Sequence, residues 1–354
     1  MKPIRVLVVE DSLTARRHLC DALSADPGMK VVGEAEDGRR AIELCRELKP
    51  DVVTMDMMLP VMSGLAATEY IMAFSPTPIL VVSSSLNRGE LFRTYDALAA
   101  GAVDVMEKPS GVEPNGEWER RFVQAVSMVS RIRVITHPHG RLAAFARRRA
   151  SPTPPEVERG RFRVLAIGAS TGGPGAVVEI LKALPAPYPL PVLLVIHIGE
   201  PFGAAFSEWL DGQTRHRVSL ARDGEPVAAA GRIVLAPPGY HLVAREGRLR
   251  LTTDPERHSC RPSVDVLFES LAAEFGSSCV ACLLTGMGRD GALGMLAVRR
   301  AGGLTLAQDE ATSVVYGMPA EAAALGAACH VLPLGDIGSA LADLAATPVV
   351  ERPR

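Results

Sequence analysis

Strand-sized apolar runs alternate with helix-length amphipathic stretches along most of this 354-residue chain, and the rhythm is interrupted once. Runs at 4–9, 31–35, 51–55, 78–82 and 102–106 are each followed by helical spacing, at 12–23, 38–48, 65–74, 89–100 and 117–131. Repeated βα units predict a parallel sheet with helices on both faces, because parallel neighbours need a crossover and the helix supplies it. Right-handed crossovers leave few strand orders, and a flavodoxin-like order is expected.

The interruption, 134–161, holds Pro138, Pro152, Pro154 and Pro155 among six arginines and has no sustained apolar period. It reads as an exposed linker, with a short helix at 142–149. Residues 1–133 and 162–354 are then separate domains. In the second, strands are expected at 163–167, 191–196, 233–235, 280–284 and 304–306, and helices at 175–184, 263–275, 292–301 and 320–325. Residues 240–252 add a hairpin that turns at Glu246-Gly247. The fold class is α/β, two doubly wound parallel sheets in tandem, the second with an added β-hairpin.

A formal charge of −2 and the absence of a helix-turn-helix pattern argue against nucleic acid as a partner. No apolar run reaches membrane-spanning length, and residues 1–9 lack a signal-peptide layout, so a cytoplasmic, monomeric protein without membrane insertion is expected. Cys20, Cys45, Cys260, Cys279, Cys282 and Cys329 are scattered, without a disulfide framework. Cys279 and Cys282 have CxxC spacing but lie in an apolar run, where small core cysteines are expected.

Residues just beyond the carboxyl ends of parallel strands share one crevice. Glu10 and Asp11 follow the first run, Asp56 the third, Ser83 and Ser84 end the fourth, and Lys108 follows the fifth. Crowded carboxylates repel one another unless a cation joins them, and an all-oxygen set suits magnesium. Asp56 is then a nucleophile toward phosphate, with a hydroxyl and the Lys108 ammonium holding the phosphoryl group.

In the second domain Ser170 ends a strand and precedes Thr171-Gly172-Gly173-Pro174 and a helix. Small residues let the chain turn sharply and expose the hydroxyl, while the amides that follow can hold negative charge. The same strand–turn–helix also suits a dinucleotide, although G-x-G-x-x-G spacing is absent. A catalytic serine needs a base and an acid to orient it. His197 ends the next strand, and Asp290 lies in the loop after the run ending at Leu284. His216, His241 and His258 read as surface or loop histidines, Asp265 as a capping acid of a first helical turn, and Asp223 and Asp309 as turn residues.

Val8-Val9-Glu10-Asp11-Ser12, Asp56 with Leu59-Pro60 and Gly64, Val82-Ser83-Ser84 and Lys108-Pro109 together resemble a response-regulator receiver domain over about residues 3–130. Two positions depart from the pattern. Val105 replaces a frequent aromatic switch residue, and Met58 a frequent acid. The resemblance implies phosphorylation of Asp56 by a chemotaxis histidine kinase, with Mg2+ on Glu10, Asp11 and Asp56.

Ile167 through Pro174, His197, Ala236-Pro237-Pro238-Gly239, His258 with Arg261 through Asp265, Thr285 through Gly291 and Gly317-Met318-Pro319 resemble the chemotaxis protein-glutamate methylesterases over about residues 162–345. Locally, Ile198-Gly199 replaces the usual Met-Pro after the histidine. This resemblance implies a triad of Ser170, His197 and Asp290, with Thr171 and Met287 helping to hold the oxyanion and no metal in the hydrolytic step. It implies as substrate glutamate methyl esters on the cytoplasmic helical domain of methyl-accepting receptors, with receptor glutamines also deamidated. Phosphorylation of Asp56 is expected to shift the esterase from an obstructed to an open state.

Overall fold

The computed structural model describes residues 2–84, 88–109, 116–132, 134, 161–198, 202–227 and 231–344. The chain divides into two compact units, Met1–Ala150 and Ser151–Arg354. The division falls in the stretch expected to be a linker. The short helix expected at 142–149 lies outside the described residues.

The first unit has strands β1 (Ile4–Val9), β2 (Met29–Ala35), β3 (Val52–Met55), β4 (Ile79–Ser83) and β5 (Asp104–Glu107). They alternate with helices α1 (Leu13–Ser24), α2 (Gly38–Leu48), α3 (Gly64–Phe74), α4 (Arg88–Ala99) and α5 (Glu117–Val129). The strands pair in parallel in the order β2-β1-β3-β4-β5, the expected flavodoxin-like arrangement. Val6 to Val9 and Val52 to Met55 are all buried, because helices cover both faces of these central strands, whereas Lys30 and Glu34 of the edge strand β2 are exposed. Ser12, Asp37 and Ser63 cap the first three helices, each accepting an amide from the first turn. These caps fix where each strand-end loop stops, and so where its side chains point.

The second unit begins with β6 (Val164–Ala169), α6 (Gly173–Ala183), β7 (Val192–Ile196), α7 (Phe202–Gln213), β8 (Arg217–Leu220) and β9 (Arg232–Leu235). The antiparallel hairpin of β10 (His241–Arg245) and β11 (Arg248–Thr252) comes next. It is followed by α8 (Val264–Phe275), β12 (Cys279–Leu283), α9 (Ala292–Arg300), β13 (Leu304–Gln308), α10 (Met318–Ala324), β14 (His330–Leu332) and α11 (Leu334–Asp343). A seven-stranded parallel sheet runs β14-β13-β12-β6-β7-β9-β8. The chain leaves β6 toward β7 and returns on its other side as β12, so β6 marks the switch point where such sheets open a crevice.

Behind that crevice Val264, Leu267, Phe268 and Leu271 of α8 pack with Val164, Ala166, Ala281 and Leu283 of the sheet, all buried. Each such side chain contributes about 2 kcal/mol of burial, so α8 is held firmly where its N-terminus meets the strand ends. Cys279 is a free thiol within this core and Cys282 a free thiol buried elsewhere on the same strand, as expected, and burial pushes the Cys279 thiol up to about 12. No helix among the described residues is long and apolar enough to cross a membrane.

Candidate functional site

In the first unit the strand ends gather the expected residues. Lys108 Nζ lies 2.8 Å from Glu10 Oε2 and 3.1 Å from Asp56 Oδ2. Glu10 and Asp56 are buried and Asp11 is exposed at the rim. Burial raises the Glu10 carboxyl; Lys108 opposes that rise and the nearby Asp56 charge adds to it. Burial opposes the charge on Lys108, but the two carboxylates outweigh it and raise its pKa. Asp56 Oδ1 is buried with no hydrogen-bond partner among the described residues. One ligand oxygen from each of Glu10, Asp11 and Asp56 lies within 4.8 Å of the others. A buried, unsatisfied oxygen within an all-carboxylate set fits a hard divalent cation. Ser83 is fully buried beside this crevice, whereas Ser84 is turned to Glu90 and donates to its carboxylate at 2.7–2.8 Å.

In the second unit Ser170, His197 and Asp290 follow β6, β7 and β12, three neighbouring strands. Gly172 has φ +77°, the left-handed conformation that reverses the chain into α6. The Ser170 amide donates to the Thr285 carbonyl at 3.0 Å, and the Gly173 amide to the Ser170 carbonyl at 2.6 Å, which locks the turn. The amides of Thr171 and Met287 have no acceptor among the described residues, so both are free to face a developing oxyanion. Met287 itself is well exposed, at the open side of the crevice.

His197 Nε2 donates to Asp290 Oδ2 at 2.9 Å. Asp290 is almost fully buried, yet its two oxygens also accept Ser263 Oγ at 2.7 Å and the amides of Val264, Asp265 and Gly291 at 2.7–3.0 Å. Two of those amides are at the N-terminus of α8, whose dipole favours an anion. Burial opposes the charge on Asp290, but His197 and the backbone donors outweigh it and hold the carboxyl below its usual range. Burial likewise opposes charge on His197, but the bond to Asp290 and the nearby Cys260 lift its pKa to about 9. With Nε2 engaged, Nδ1 is the nitrogen left to take a proton. No hydrogen bond joins it to Ser170 Oγ among the described residues, an open geometry common before substrate binds.

Several expectations are corrected. His216 and His241 are buried, not surface residues. His216 donates to the Leu181 carbonyl at 3.1 Å. His241 opens β10, accepts the Ser263 amide at 3.2 Å and faces the Pro255 carbonyl at 3.2 Å. An imidazole is tolerated inside when its ring nitrogens find such partners. Asp265 lies in the first turn of α8 but caps a different helix, accepting the Gly294 amide of α9 at 2.6 Å while pairing with His258 at 3.1 Å.

Supporting residues had little signal in the sequence. Thr285 Oγ1 lies 3.0 Å from the Thr171 carbonyl and accepts the Val315 amide, while its own amide donates to Gln308 at 2.8 Å. Ser263, which caps α8, also braces Asp290. Cys260, indistinct among six cysteines, sits with Sγ 3.7 Å from His197 Nδ1.

Residues 165–341 match the family model described as CheB methylesterase, and residues 6–114 that of the response regulator receiver domain. The chain is 43% identical to the protein-glutamate methylesterase/protein-glutamine glutaminase 2 of Anaeromyxobacter dehalogenans, with 97% of each chain covered. It is 44% identical to the protein so named from Pseudomonas aeruginosa, again with 97% of each covered. Among solved structures, the Thermotoga maritima CheB methylesterase catalytic domain is similar at 34% identity and TM-score 0.50, covering 52% of this chain and 98% of that one.

Proposed function

This chain belongs to the family of protein-glutamate methylesterase/protein-glutamine glutaminases, with a receiver domain ahead of the esterase domain, and on that premise we propose how its own residues carry out the reaction. Ser170 Oγ attacks the ester carbonyl of a methylated glutamate on a chemoreceptor, and His197 Nδ1 takes the hydroxyl proton. The amides of Thr171 and Met287 hold the oxyanion of the tetrahedral intermediate. His197 returns the proton to the departing methanol, then deprotonates a water that attacks the acyl–serine ester. Glutamate leaves and Ser170 regains its proton. A glutamine side chain follows the same course with ammonia as the leaving group. Asp290 fixes the tautomer in which Nε2 carries hydrogen, so that Nδ1 serves as the base.

The observation that carries this reading is the 2.9 Å bond from His197 to a buried Asp290, both at strand ends flanking that of Ser170. In the receiver, Asp56 accepts a phosphoryl group from a histidine kinase, and Lys108 with Ser83 holds its oxygens. Glu10, Asp11 and Asp56 are the residues that would hold Mg2+, which when bound neutralises phosphoryl charge. Phosphorylation then governs the esterase, coupling receptor demethylation to kinase output.

The test is methanol release from methylated chemoreceptor membranes, comparing wild type with Ser170→Ala, each with and without a small phosphodonor and Mg2+. Release that rises with phosphodonor and is lost in Ser170→Ala is expected. Unchanged release in Ser170→Ala would overturn the assignment of the nucleophile.

A further inference from the structure

Beside the proposed base lies a soft ligand that the hydrolytic reaction does not use. Cys260 Sγ is 3.7 Å from His197 Nδ1, the nitrogen that faces away from Asp290. A zinc ion bound tetrahedrally, about 2.1 Å from nitrogen and 2.3 Å from sulfur, holds those two atoms about 3.6 Å apart. His197 also donates its other ring nitrogen to a carboxylate, the arrangement that orients metal-bound histidines and raises their basicity.

The thiol is held in this position. Arg257 and Cys260 exchange backbone hydrogen bonds of 3.1 and 2.9 Å, with His258 and Ser259 in the left-handed region between them. Arg257 anchors this turn to Glu269 of α8 through contacts of 2.5 and 2.8 Å. Apart from its contact with His197 Nδ1, the Cys260 thiol makes one long hydrogen bond among the described residues, 3.4 Å, to the His258 carbonyl.

Other clusters suit such an ion less well. His258 near Asp265 has both ring nitrogens occupied, by Asp265 and by Arg289. Glu10, Asp11 and Asp56 offer only hard oxygens, which suit magnesium.

We propose that His197 Nδ1 and Cys260 Sγ form an inhibitory site for a soft divalent cation of the zinc class, with Asp290 as the outer partner of His197 and the remaining positions filled by water. On binding, Cys260 and the charged His197, at Nδ1, each lose a proton to solvent, a metal–sulfur bond and a metal–nitrogen bond form, and no electrons are transferred. The Nδ1 lone pair is then unavailable to Ser170, so the ion blocks hydrolysis. That consequence rests on the role of His197 proposed above; the binding site itself does not.

The test uses full-length protein and two metals. Co2+ is titrated into wild type, Cys260→Ser and a Cys20→Ser/Cys329→Ser variant that lacks the other accessible thiols, with circular dichroism confirming that each is folded. A thiolate-to-cobalt charge-transfer band is expected in wild type and the double variant, to be absent in Cys260→Ser, and to vanish when Zn2+ is added. In methanol-release assays Zn2+ should inhibit wild type reversibly, a chelator restoring activity, and the concentration for half inhibition should rise at least about tenfold in Cys260→Ser relative to that variant's own metal-free rate. A band that persists in Cys260→Ser, or none in wild type, would overturn the site. Equal zinc sensitivity in the two would overturn the inhibition. If no variant releases methanol, the esterase reading fails, while the cobalt band still decides the site.

Discussion

Ser263 Oγ donates to Asp290 Oδ1 at 2.7 Å and also accepts the Val266 amide at 3.4 Å, so one hydroxyl both braces the proposed orienting acid and caps α8. Ser263→Ala removes both contacts. The cap alone is worth about 1 kcal/mol. Asp290 keeps its backbone donors and His197, so the side chain stays charged but loses one support. The expected result is a kcat about tenfold lower with KM little changed, and a fall in unfolding free energy of about 1–2 kcal/mol. Ser263→Thr keeps the hydroxyl and should recover most of both. Loss of stability without loss of kcat would show that the hydroxyl serves the helix alone.

Gly286 is packed against the back of Ser170. A Cβ at this position would lie 2.8 Å from Ser170 Cβ and 2.3 Å from Met318 Sδ. The Met318 side chain is flexible but fully buried, and Ser170 cannot give way, because its amide is bound to Thr285. Gly286→Ala should therefore displace the proposed nucleophile by some tenths of an ångström and lower kcat on the order of a hundredfold, since small misplacements near the reacting atoms have effects of that size. Its far-ultraviolet circular dichroism should match wild type. Full activity in Gly286→Ala would mean that the Ser170 turn is softer than its hydrogen bonds imply.

Lys108 neutralises two buried carboxylates at once. In Lys108→Ala, Glu10 and Asp56 face each other without a cation. Removing one partner of a buried pair costs several kcal/mol, and because Lys108 is partly exposed about 2–3 kcal/mol is expected. Mg2+ should recover more of that loss in the variant than it adds to wild type, because it meets uncompensated charge. Thermal unfolding with and without Mg2+ measures the difference. The variant should also lose stimulation by phosphodonor. A Mg2+ shift equal in both proteins would separate Lys108 from the cation site.

Strand ends are what the sequence makes legible. β1 and α2 coincide with the runs read at 4–9 and 38–48, and Glu10, Asp56, Ser170 and His197 follow from where apolar runs stop. Helices α7 and α11 are harder to read, because Gly203 and Gly212 in one and Gly335 and Gly338 in the other lower helix propensity, although Phe202, Phe206, Trp209 and Leu210, and Leu334, Ile337 and Leu341, keep a buried apolar period. Strands β8 and β14 are short edge strands with few buried positions, so neither shows a sustained apolar run. Cys260 and His197 are 63 residues apart, and the turn bearing the cysteine has no periodicity to place it. Gln308, which fixes Thr285, ends a strand as the catalytic candidates do, but carries no charge to single it out.

Asp104, at the start of β5, is half-buried, and desolvation lifts its carboxyl to about 6 from an ordinary 3.8, although it accepts the Val105 amide. The folded state therefore binds this proton more tightly than the unfolded chain. Between about pH 4 and pH 6 the native protein holds more protons at Asp104, so this residue makes stability fall as pH rises through that window. Above pH 6 the cost is fully present, about 1–2 kcal/mol once solvent screening of this half-buried group is allowed for against about 1.4 kcal/mol per pH unit of displacement. Asp104→Asn keeps an acceptor for the Val105 amide, now 2.8 Å from Asp104 Oδ1, and has no charge to bury. The variant should therefore be more stable than wild type at pH 7 and about equal to it at pH 4. Denaturant unfolding in a Trp209→Phe background leaves Trp118 to report on the first unit alone, since the chain has two tryptophans. A stability difference that is the same at both pH values would show that the substitution acts through packing, and that Asp104 carries no buried charge at neutral pH.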